Sequence, residues 1–507
     1  MPNVLPGDQC ICSTSISGFM TTEKYFEQFR KKIIGQDCVF ITPYGPKKMI
    51  YADWIASGRL YLPIEDKFIR VIGPFVGNTH TETCENGRLM TEAYHLAHRK
   101  IKEYVNAGPG DVIITTGFGM TGAIVKFQRI LGLKHCADPM HQHQMHENEL
   151  PVVFVTHMEH HSNQTSWYET SAEVVVIEPG TDMLVNPDHL ENALRKYKDR
   201  TTKIGSFTAC SNVTGIRTPV HRLARLMHEY GGHAFIDYAA SAPYDDMNMH
   251  PADPMEKLDA IYFSPHKFLG GPGSSGVLIF DSSLYKLQVP DQPGGGTVEW
   301  TNRWGEYKFI DDIEVREDGG TPGFLQAMRT AMSLELKNRM TVSKIHEREA
   351  ELVEIAFREL QQIPGLHILA GNVKDRLGVI SFYIENIHYN LVVKLLSDRF
   401  GIQVRGGCAC AGTYGHYLLH VSHEKSKSIT DMIDDGDLSE KPGWVRLSLH
   451  PIMTDEELLT FSEAIRQIAT NHQEWIKDYI YNKHTNEFRH ISGATGATST
   501  DSWFTLE

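Results

Sequence analysis

The sequence predicts an α/β protein with one large, mostly parallel sheet and a smaller C-terminal α/β domain. From about residue 111, short apolar runs alternate with helical patterns, which is typical of a parallel sheet covered by helices on both faces. Seven such runs precede residue 282, and seven strands are enough for one large sheet. Beyond residue 323 a long helical pattern leads to two further strand-like runs, which predict the second domain.

The seven runs have the length and apolar content of strands buried on both faces. They are Asp111–Thr116, Val152–Thr156, Glu173–Glu178, Lys203–Thr208, His233–Asp237, Ala260–Ser264 and Gly276–Phe280. Asn186-Pro187-Asp188 supplies a cap, a first-turn proline and an acid, so it predicts a helix start, as does Thr218-Pro219. One continuous helix is predicted over Phe324–Leu360, followed by strands at Gly378–Tyr383 and Trp444–Leu449.

These patterns predict four segments along the chain. They are an N-terminal arm over 1–44, a large domain over 45–340, a small domain over 341–475 and a largely disordered extension over 476–507. Within them, Cys136–Glu149 and the polar stretch Ser422–Lys441 resemble insertions. Residues 1 to about 20, and the small polar residues 492–500, are expected to be disordered because they have little to bury.

Composition excludes several classes of function. The formal net charge is -14, with 49 Lys+Arg against 63 Asp+Glu, so there is no basic surface of the kind that binds nucleic acid. The apolar runs are far shorter than the roughly 20 residues of a membrane span. Eight cysteines in 507 residues, without a leader pattern at the N-terminus, favour free thiols and a cytoplasmic location.

The most informative segment is Ser264-Pro265-His266-Lys267, which follows an apolar strand and precedes a glycine-rich turn. A lysine in such a cleft can form an imine with an aldehyde cofactor if burial lowers its pKa. Asp237 ends a second apolar strand, and pyridoxal 5′-phosphate (PLP) needs a carboxylate at its pyridinium nitrogen. The glycine-rich turn from Thr116 to Gly122 opens a helix and could bind the phosphate.

Together these motifs resemble the class V PLP enzymes, and within them the group II cysteine desulfurases and selenocysteine lyases. The resemblance covers roughly residues 45–470 and implies fold type I, the aspartate-aminotransferase-like fold. It implies that Lys267 holds PLP as a Schiff base, with Ser264 and His266 as phosphate ligands. It also implies that Asp237 binds the pyridine nitrogen and that His160, in Glu159-His160-His161-Ser162-Asn163, stacks on the ring.

Further motifs resemble the substrate-binding parts of that family. Asn212, in Ser211-Asn212-Val213, and Arg446, in Trp444-Val445-Arg446, match residues that contact the substrate carboxylate. Arg405, in a further family loop, is also expected to bind the substrate. Gly319-Gly320-Thr321-Pro322 is similar to a loop that reaches the phosphate of the other subunit, so the resemblance implies a homodimer and a role for Thr321.

Two positions depart from the desulfurase pattern. The motif Asp-x-Ala-Gln, whose glutamine binds the cofactor phenolic oxygen, is replaced by Asp237-Tyr238-Ala239-Ala240. The glycine-rich turn also lacks the Thr-Thr-Glu or Thr-Glu motif that is usual in the family. The choice of phosphate-binding residue among Gly119, Met120 and Thr121 therefore stays open.

The segment Arg405-Gly406-Gly407-Cys408-Ala409-Cys410-Ala411 is similar to the family loop Arg-x-Gly-x-x-Cys-Ala, which makes Cys410 the nucleophile. A desulfurase thiolate takes the substrate sulfur as a persulfide and leaves alanine. Cys408 is interpreted as a neighbour with no role or a modulating one. Two sets of side chains contain the residue types that bind metals, namely Cys408 with His416 and His420, and the cluster His141, His143 and His146. No metal site is predicted from either.

Two enzymatic hypotheses remain open. The first is a PLP-dependent sulfur-releasing enzyme that acts on L-cysteine, or on a selenium or sulfoxide relative, and passes the sulfur to an acceptor protein. The second is a class V aminotransferase, epimerase or carbon–carbon lyase that uses Arg446 but not Cys410. Ala240 favours the second and Cys410 favours the first. A catalytically dead fold is disfavoured because the predicted cofactor residues are present together.

Overall fold

The computed structural model describes residues 21–134, 149–493 and 500–506. The expected disorder of residues 1–20 and 494–499, most of the insertion Cys136–Glu149 and the cluster His141, His143 and His146 lie outside the described residues. No described helix combines the length and apolar character that crossing a membrane requires.

All seven predicted strands form one sheet. In chain order the first strands of the described residues are β1 (Val39–Thr42), β2 (Gly45–Lys48), β3 (Ile50–Tyr51), β4 (Asp111–Thr116), β5 (Val152–Thr156), β6 (Glu173–Ile177), β7 (Lys203–Thr208), β8 (His233–Asp237), β9 (Ala260–Phe263) and β10 (Gly276–Asp281). The large sheet has the order β4-β10-β9-β8-β7-β5-β6, and β10 is antiparallel to both its neighbours. The other four pairings are parallel, so β5 to β9 point the same way. β4 shares this direction, because β4 and β9 are both antiparallel to β10.

Helices cover both faces of this sheet. The first helices are α1 (Thr22–Arg30), α2 (Leu62–Lys67), α3 (Glu85–Tyr104), α4 (Met120–Ile130), α5 (His161–Tyr168), α6 (Pro187–Lys196), α7 (Val220–Glu229), α8 (Ile313–Arg316) and α9 (Phe324–Met340). One face packs against α3, α6, α7 and α9, with Met90, Leu190 and Leu223 in its core. The other packs against α4 and α5 through Phe127 and Trp167. The strands are therefore apolar on both sides, as their sequences predicted.

The C-terminal part is built on a second sheet. The remaining strands are β11 (Val298–Thr301), β12 (Tyr307–Phe309), β13 (Leu366–Ile368), β14 (Val379–Ile384), β15 (Ile402–Gln403), β16 (Arg405–Gly407), β17 (Trp444–Ser448), β18 (Tyr479–Asn482) and β19 (Glu487–His490). The remaining helices are α10 (Val342–Leu360), α11 (Tyr389–Phe400), α12 (Gly412–Leu418), α13 (His423–Asp434) and α14 (Asp455–Trp475). The second sheet has the antiparallel order β13-β14-β17-β16, and its apolar residues pack with α10, α11 and α14.

Two sequence expectations differ from the structure. The single helix predicted over Phe324–Leu360 is two helices, because Thr341 adopts a positive φ of 55° that an α-helix cannot contain. In the described part of the N-terminal arm, Phe26 and Phe29 of α1 are buried in the core of the C-terminal part. The extension from residue 476 was expected to be largely disordered, yet β18 and β19 form an antiparallel hairpin within it.

Candidate active site

The predicted cofactor residues meet at one edge of the large sheet. Asp237 ends β8, Lys267 follows β9, and the glycine-rich turn follows β4. Because these strands point the same way, their carboxyl ends lie along the same edge, where open α/β sheets bind ligands. The convergence that the sequence could only suggest is thus produced by the strand order.

The glycine-rich turn forms a cradle beside the Ser264–Lys267 segment. Gly119 has a φ of 65°, and a Cβ atom there would lie 2.8 Å from Ser264 Oγ and 3.3 Å from His266 Nε2. The backbone N–H of Met120 donates a hydrogen bond of 2.8 Å to Ser264 Oγ. Gly119, Ser264 and His266 therefore surround the N-terminus of α4, where backbone N–H groups favour an anion.

The other two candidates of the turn are less directly available to a ligand. The Met120 side chain is buried, and its N–H already has Ser264 as acceptor. Thr121 Oγ1 lies 2.7 Å from Ser162 Oγ at the start of α5. Burial lowers the pKa of His266 to about 4, with the charge of Lys267 acting in the same direction, so its imidazole is neutral at pH 7.

Lys267 and Asp237 are tuned by the same surroundings. Burial lowers the pKa of Lys267 to about 8, Asp237 opposes this shift, and Arg446 and Arg405 strengthen it. Burial also raises the pKa of Asp237 to about 6. Asp237 Oδ1 accepts a hydrogen bond of 2.8 Å from the N–H of Ala239. No described residue donates to Oδ2, so this oxygen is available to a cationic nitrogen.

His160 lies at the N-terminus of α5, where its Nδ1 accepts a hydrogen bond of 3.1 Å from the N–H of Ser162. Burial lowers its pKa to about 3, with Lys267 as the next cause, so the ring is neutral. The preceding residue, Glu159, is buried and accepts hydrogen bonds from Thr156 Oγ1 at 2.6 Å and Asn163 Nδ2 at 2.7 Å. These bonds fix the segment that carries His160 against the sheet.

The two predicted substrate-binding arginines share a carboxylate that sequence reasoning missed. Arg446 Nη2 donates to Asp53 Oδ1 at 2.8 Å, and Arg405 Nε donates to Asp53 Oδ2 at 3.1 Å. Arg446 is buried, and burial lowers its pKa while Asp53 opposes the shift. In the sequence, Asp53 directly follows the apolar run Ile50–Ala52, which is the one sign that it could be a site residue. Nothing in the sequence links it to Arg446, which is 393 positions away.

Asn212 connects these arginines to the cysteine loop. Its carbonyl oxygen accepts from Arg446 Nη1 at 3.3 Å, and its Nδ2 donates to the carbonyl oxygen of Ala409 at 2.8 Å. Asn212 Oδ1 and Arg446 Nε are buried and have no hydrogen-bond partner among the described residues. Buried polar atoms normally have partners, so this pair is suited to a bound polar ligand.

The cysteine loop is attached to the site through its backbone. His161 donates its N–H to the carbonyl oxygen of Cys410 at 2.8 Å, and its Nε2 accepts from the N–H of Gly412 at 3.0 Å. Ala409 and Cys410 have positive φ angles of 52° and 58°. The Cys410 thiol is exposed and that of Cys408 is half-buried. Cys410 is the smallest of the named influences on the pKa of Arg446, which it raises.

Thr321 makes no hydrogen bond with these groups among the described residues. Its hydroxyl donates to Asn78 Oδ1 at 3.2 Å, and both groups are exposed.

Ala240, at the position of the family glutamine, is buried. Among the described residues, no group of three or more His, Cys, Asp or Glu side chains is arranged to hold a metal ion. His416 uses both ring nitrogens, at 2.8 Å from Gly412 O and 2.8 Å from Ser426 Oγ.

The family model described as "Aminotransferase class-V" matches residues 50–461. This chain belongs to the class V aminotransferase family. It is a PLP-dependent enzyme, as members of that family are. The site fits this cofactor, because Gly119, Ser264 and His266 form an anion cradle, Asp237 Oδ2 accepts no hydrogen bond from a described residue, and burial lowers the pKa of the Lys267 amine.

Curated relatives and solved structures agree with this family. The chain is 27% identical to a probable cysteine desulfurase of Staphylococcus epidermidis over 365 residues, covering 72% of this chain and 84% of the relative. It is 28% identical to a cysteine desulfurase of Synechococcus elongatus over 399 residues, covering 78% and 56%. The structure of a cysteine desulfurase of Thermococcus onnurineus matches with a TM-score of 0.69 at 22% identity, covering 88% and 98%, and therefore shows the same fold.

Proposed function

We propose that this enzyme removes sulfur from L-cysteine, gives alanine and carries the sulfur as a persulfide on Cys410. The single observation on which this rests is the position of Cys410, an exposed thiol on a loop bonded to His161 and Asn212 of the site. The names of the curated relatives support the same reaction. The cytoplasmic location expected from the sequence remains a prediction.

Each group of the site has a part in this proposal. Arg446 donates its unpartnered Nε–H to the substrate carboxylate, and Asn212 donates the second N–H of Nδ2, whose first goes to Ala409. Asp53 holds Arg446 and Arg405 in place. Bound PLP, held through Lys267 and the cradle, supplies an electron sink for the substrate's Cα. Lys267, whose pKa is lowered to about 8, is the base that takes the Cα proton.

The sulfur transfer needs no further reagent. The Cys410 thiolate attacks the substrate sulfur, so the new S–S bond forms while the Cβ–S bond breaks. The electron pair of the broken bond stays on the substrate. Protonation of its β-carbon makes a methyl group, and the proton that Lys267 took is returned to Cα, which completes alanine. The sulfur remains on Cys410 as a persulfide, which an acceptor protein or a thiol then takes.

The test compares wild type with Cys410→Ser and the matched control Cys408→Ser. Serine is nearly isosteric, so both variants should keep the fold and the PLP absorbance. Cys410→Ser should lower alanine and sulfide release from L-cysteine by at least about 100-fold, because a hydroxyl is a poor nucleophile toward sulfur. Cys408→Ser should stay near the wild-type rate. Wild type that makes no alanine, or Cys410→Ser that equals it, would refute the proposal.

A second reaction is favoured by one observation. Buried Ala240 removes the amide that contacts the phenolic oxygen of the cofactor in desulfurases. The alternative is an aminotransferase, epimerase or carbon–carbon lyase of class V that does not use Cys410. A panel of amino acids, including selenocysteine, tests it by following the cofactor spectrum and the products. Turnover of another amino acid that survives Cys410→Ser would support the alternative.

We further infer that the enzyme acts as a homodimer. Phe118, inside the glycine-rich turn, is 89% exposed, and Ile69 is 71% exposed, although large apolar side chains are usually covered. Thr321 lies on an exposed loop whose hydroxyl does not contact the cradle of its own chain. Light scattering should give twice the chain mass of 57.3 kDa. A monomer with full activity would refute this inference.

A further inference from the structure

The C-terminal hairpin lies beyond the match to the family model, which ends at residue 461. Its strands β18 and β19 pair in antiparallel register from Tyr479↔His490 to Asn482↔Glu487. The turn is fixed to the segment before β17, because Leu438 donates its N–H to the carbonyl oxygen of Lys483 at 2.9 Å and His484 Nδ1 lies 2.7 Å from Gly436 O. The hairpin is therefore an integral part of the C-terminal sheet region.

Asn486, at the end of the hairpin turn, makes the central contacts. Its Nδ2 donates to the Tyr389 hydroxyl at 2.7 Å, and its carbonyl oxygen accepts from Asn390 Nδ2 at 2.6 Å. Its Oδ1 accepts from the Tyr481 hydroxyl at 2.9 Å. Asn486 is buried and has a φ of 58°, a conformation that asparagine and glycine tolerate best.

Tyr389 and Asn390 in turn pack on the strand that precedes the cysteine loop. A Cβ atom on Gly406 would lie 2.5 Å from Asn390 Oδ1 and 3.2 Å from the Tyr389 ring. A Cβ atom on Gly443 would lie 2.6 Å from the same ring and 2.9 Å from Gly407 Cα. The Tyr389 hydroxyl also donates to the carbonyl oxygen of Lys441 at 3.2 Å. The tyrosine ring is thus closely packed against two glycine-containing backbone segments.

Through β16, these contacts are connected to the loop that carries Cys408 and Cys410. The strand β16 begins at Arg405 and ends at Gly407, immediately before Cys408 and Cys410. Its two glycines have no side chains with which to anchor the strand. At Arg405 the strand is held by the bond to Asp53. At its two glycines it is held by pairing with β17 and by the packing of Tyr389 and Asn390.

We propose that the C-terminal hairpin, through Asn486 and Tyr389, is a positioning element that fixes β16 and the cysteine loop at the active site. Asn486 and Tyr389 are positioning residues, because they act through the backbone of β16. The proposal rests on the role of Cys410 proposed above for its catalytic consequence, but its structural part is measured independently.

The experiment uses the full chain loaded with PLP and two variants that break the same link from opposite sides. Asn486→Gly keeps the left-handed backbone and removes the side-chain bonds, and Tyr389→Phe removes the hydroxyl but keeps the ring. The matched control is Tyr481→Phe, which loses one hydroxyl bond inside the hairpin and leaves both links to α11. Amide exchange over residues 405–412 and alkylation rates at individual cysteines are measured by mass spectrometry.

Both link variants should exchange over residues 405–412, and alkylate the half-buried Cys408, about five to ten times faster than wild type, as expected for loss of a buried hydrogen bond. Their kcat for alanine formation should fall by a similar factor with unchanged PLP content. Tyr481→Phe should stay within about twofold. The exposed Cys84 and the buried Cys210 serve as internal references, because general loosening of the fold would also accelerate Cys210.

Exchange and Cys408 alkylation at the wild-type rate in both link variants would overturn the proposal. Equal acceleration at Cys210 would do the same, as would faster exchange with an unchanged kcat. If wild type itself makes no alanine, the desulfurase proposal fails, while exchange and alkylation still decide whether the hairpin holds β16.

Discussion

The pKa of Lys267 makes a quantitative prediction about the capture of PLP by the apoprotein. Only the neutral amine can attack an aldehyde. With a pKa lowered from 10.5 to about 8, roughly one Lys267 side chain in ten is neutral at pH 7, against roughly one in 3,000 for an ordinary lysine. The capture rate should therefore rise with pH to a plateau, with its midpoint near pH 8.

Two substitutions should move this midpoint in opposite directions. The Asp237 carboxylate stabilises the charged amine, so Asp237→Asn should lower the midpoint, and the amide oxygen can still accept the N–H of Ala239. Arg446 destabilises the charged amine, so Arg446→Met should raise it. Both groups are ionised near pH 8, because the pKa of Asp237 is about 6 and arginine stays protonated.

The assay is stopped-flow absorbance of apoprotein mixed with PLP between pH 7 and 10.5, a range in which the phosphate group of PLP is ionised. Borohydride trapping and peptide mass spectrometry identify the modified lysine at each pH. A wild-type midpoint at or above about 10, the value of an ordinary lysine, would refute the reasoning. A shift in the same direction for Asp237→Asn and Arg446→Met would also refute the electrostatic account.

Two further predictions concern cofactor binding. In Lys267→Ala, borohydride should no longer trap PLP on the protein, and all turnover should be lost. A variant that still traps PLP at another lysine and keeps the parental activity would show that Lys267 is not the cofactor lysine. Gly119→Ala should weaken PLP binding by at least about tenfold, because its Cβ would lie 2.8 Å from Ser264 Oγ at a φ of 65°; the control Gly110→Ala, with nothing within 4 Å of its Cβ, should bind PLP as wild type does in a fluorescence titration.

The parts of the fold that could be predicted from the sequence are those with a strong local pattern. The strands β4 to β10 are apolar runs of five or six residues in most cases, because the sheet is buried on both faces. The hairpin β18–β19 gave no such signal, since its sequences Tyr479–Asn482 and Glu487–His490 are short and half polar. The helix break at Thr341 was hidden because both helices bury apolar faces and so continue one periodic pattern.

In the candidate site, too, some residues could be predicted from the sequence and others could not. Lys267, Asp237 and the glycine-rich turn were predictable, because each follows a recognisable strand and parallel strands align their ends. Asp53 was not, because its importance comes from contacts with Arg405 and Arg446 that arise only in the folded chain. Its presence has a physical reason, since two arginines in a partly buried site need a negative charge between them.

The candidate site residues are divided between the large sheet and the C-terminal part, and this division indicates which residues determine the type of reaction. The large sheet carries Lys267, Asp237 and His160, the residues that we propose hold and activate PLP, and these groups alone do not distinguish a desulfurase from an aminotransferase. The C-terminal part contributes Arg446 and Cys410. Because Arg446, in the carboxylate-binding role proposed for it, would serve every amino-acid substrate, the exposed Cys410 thiol is the group on that side that we propose to be specific to sulfur transfer. The position of its loop, held by Asn212 and His161, is therefore the feature on which the reaction type depends.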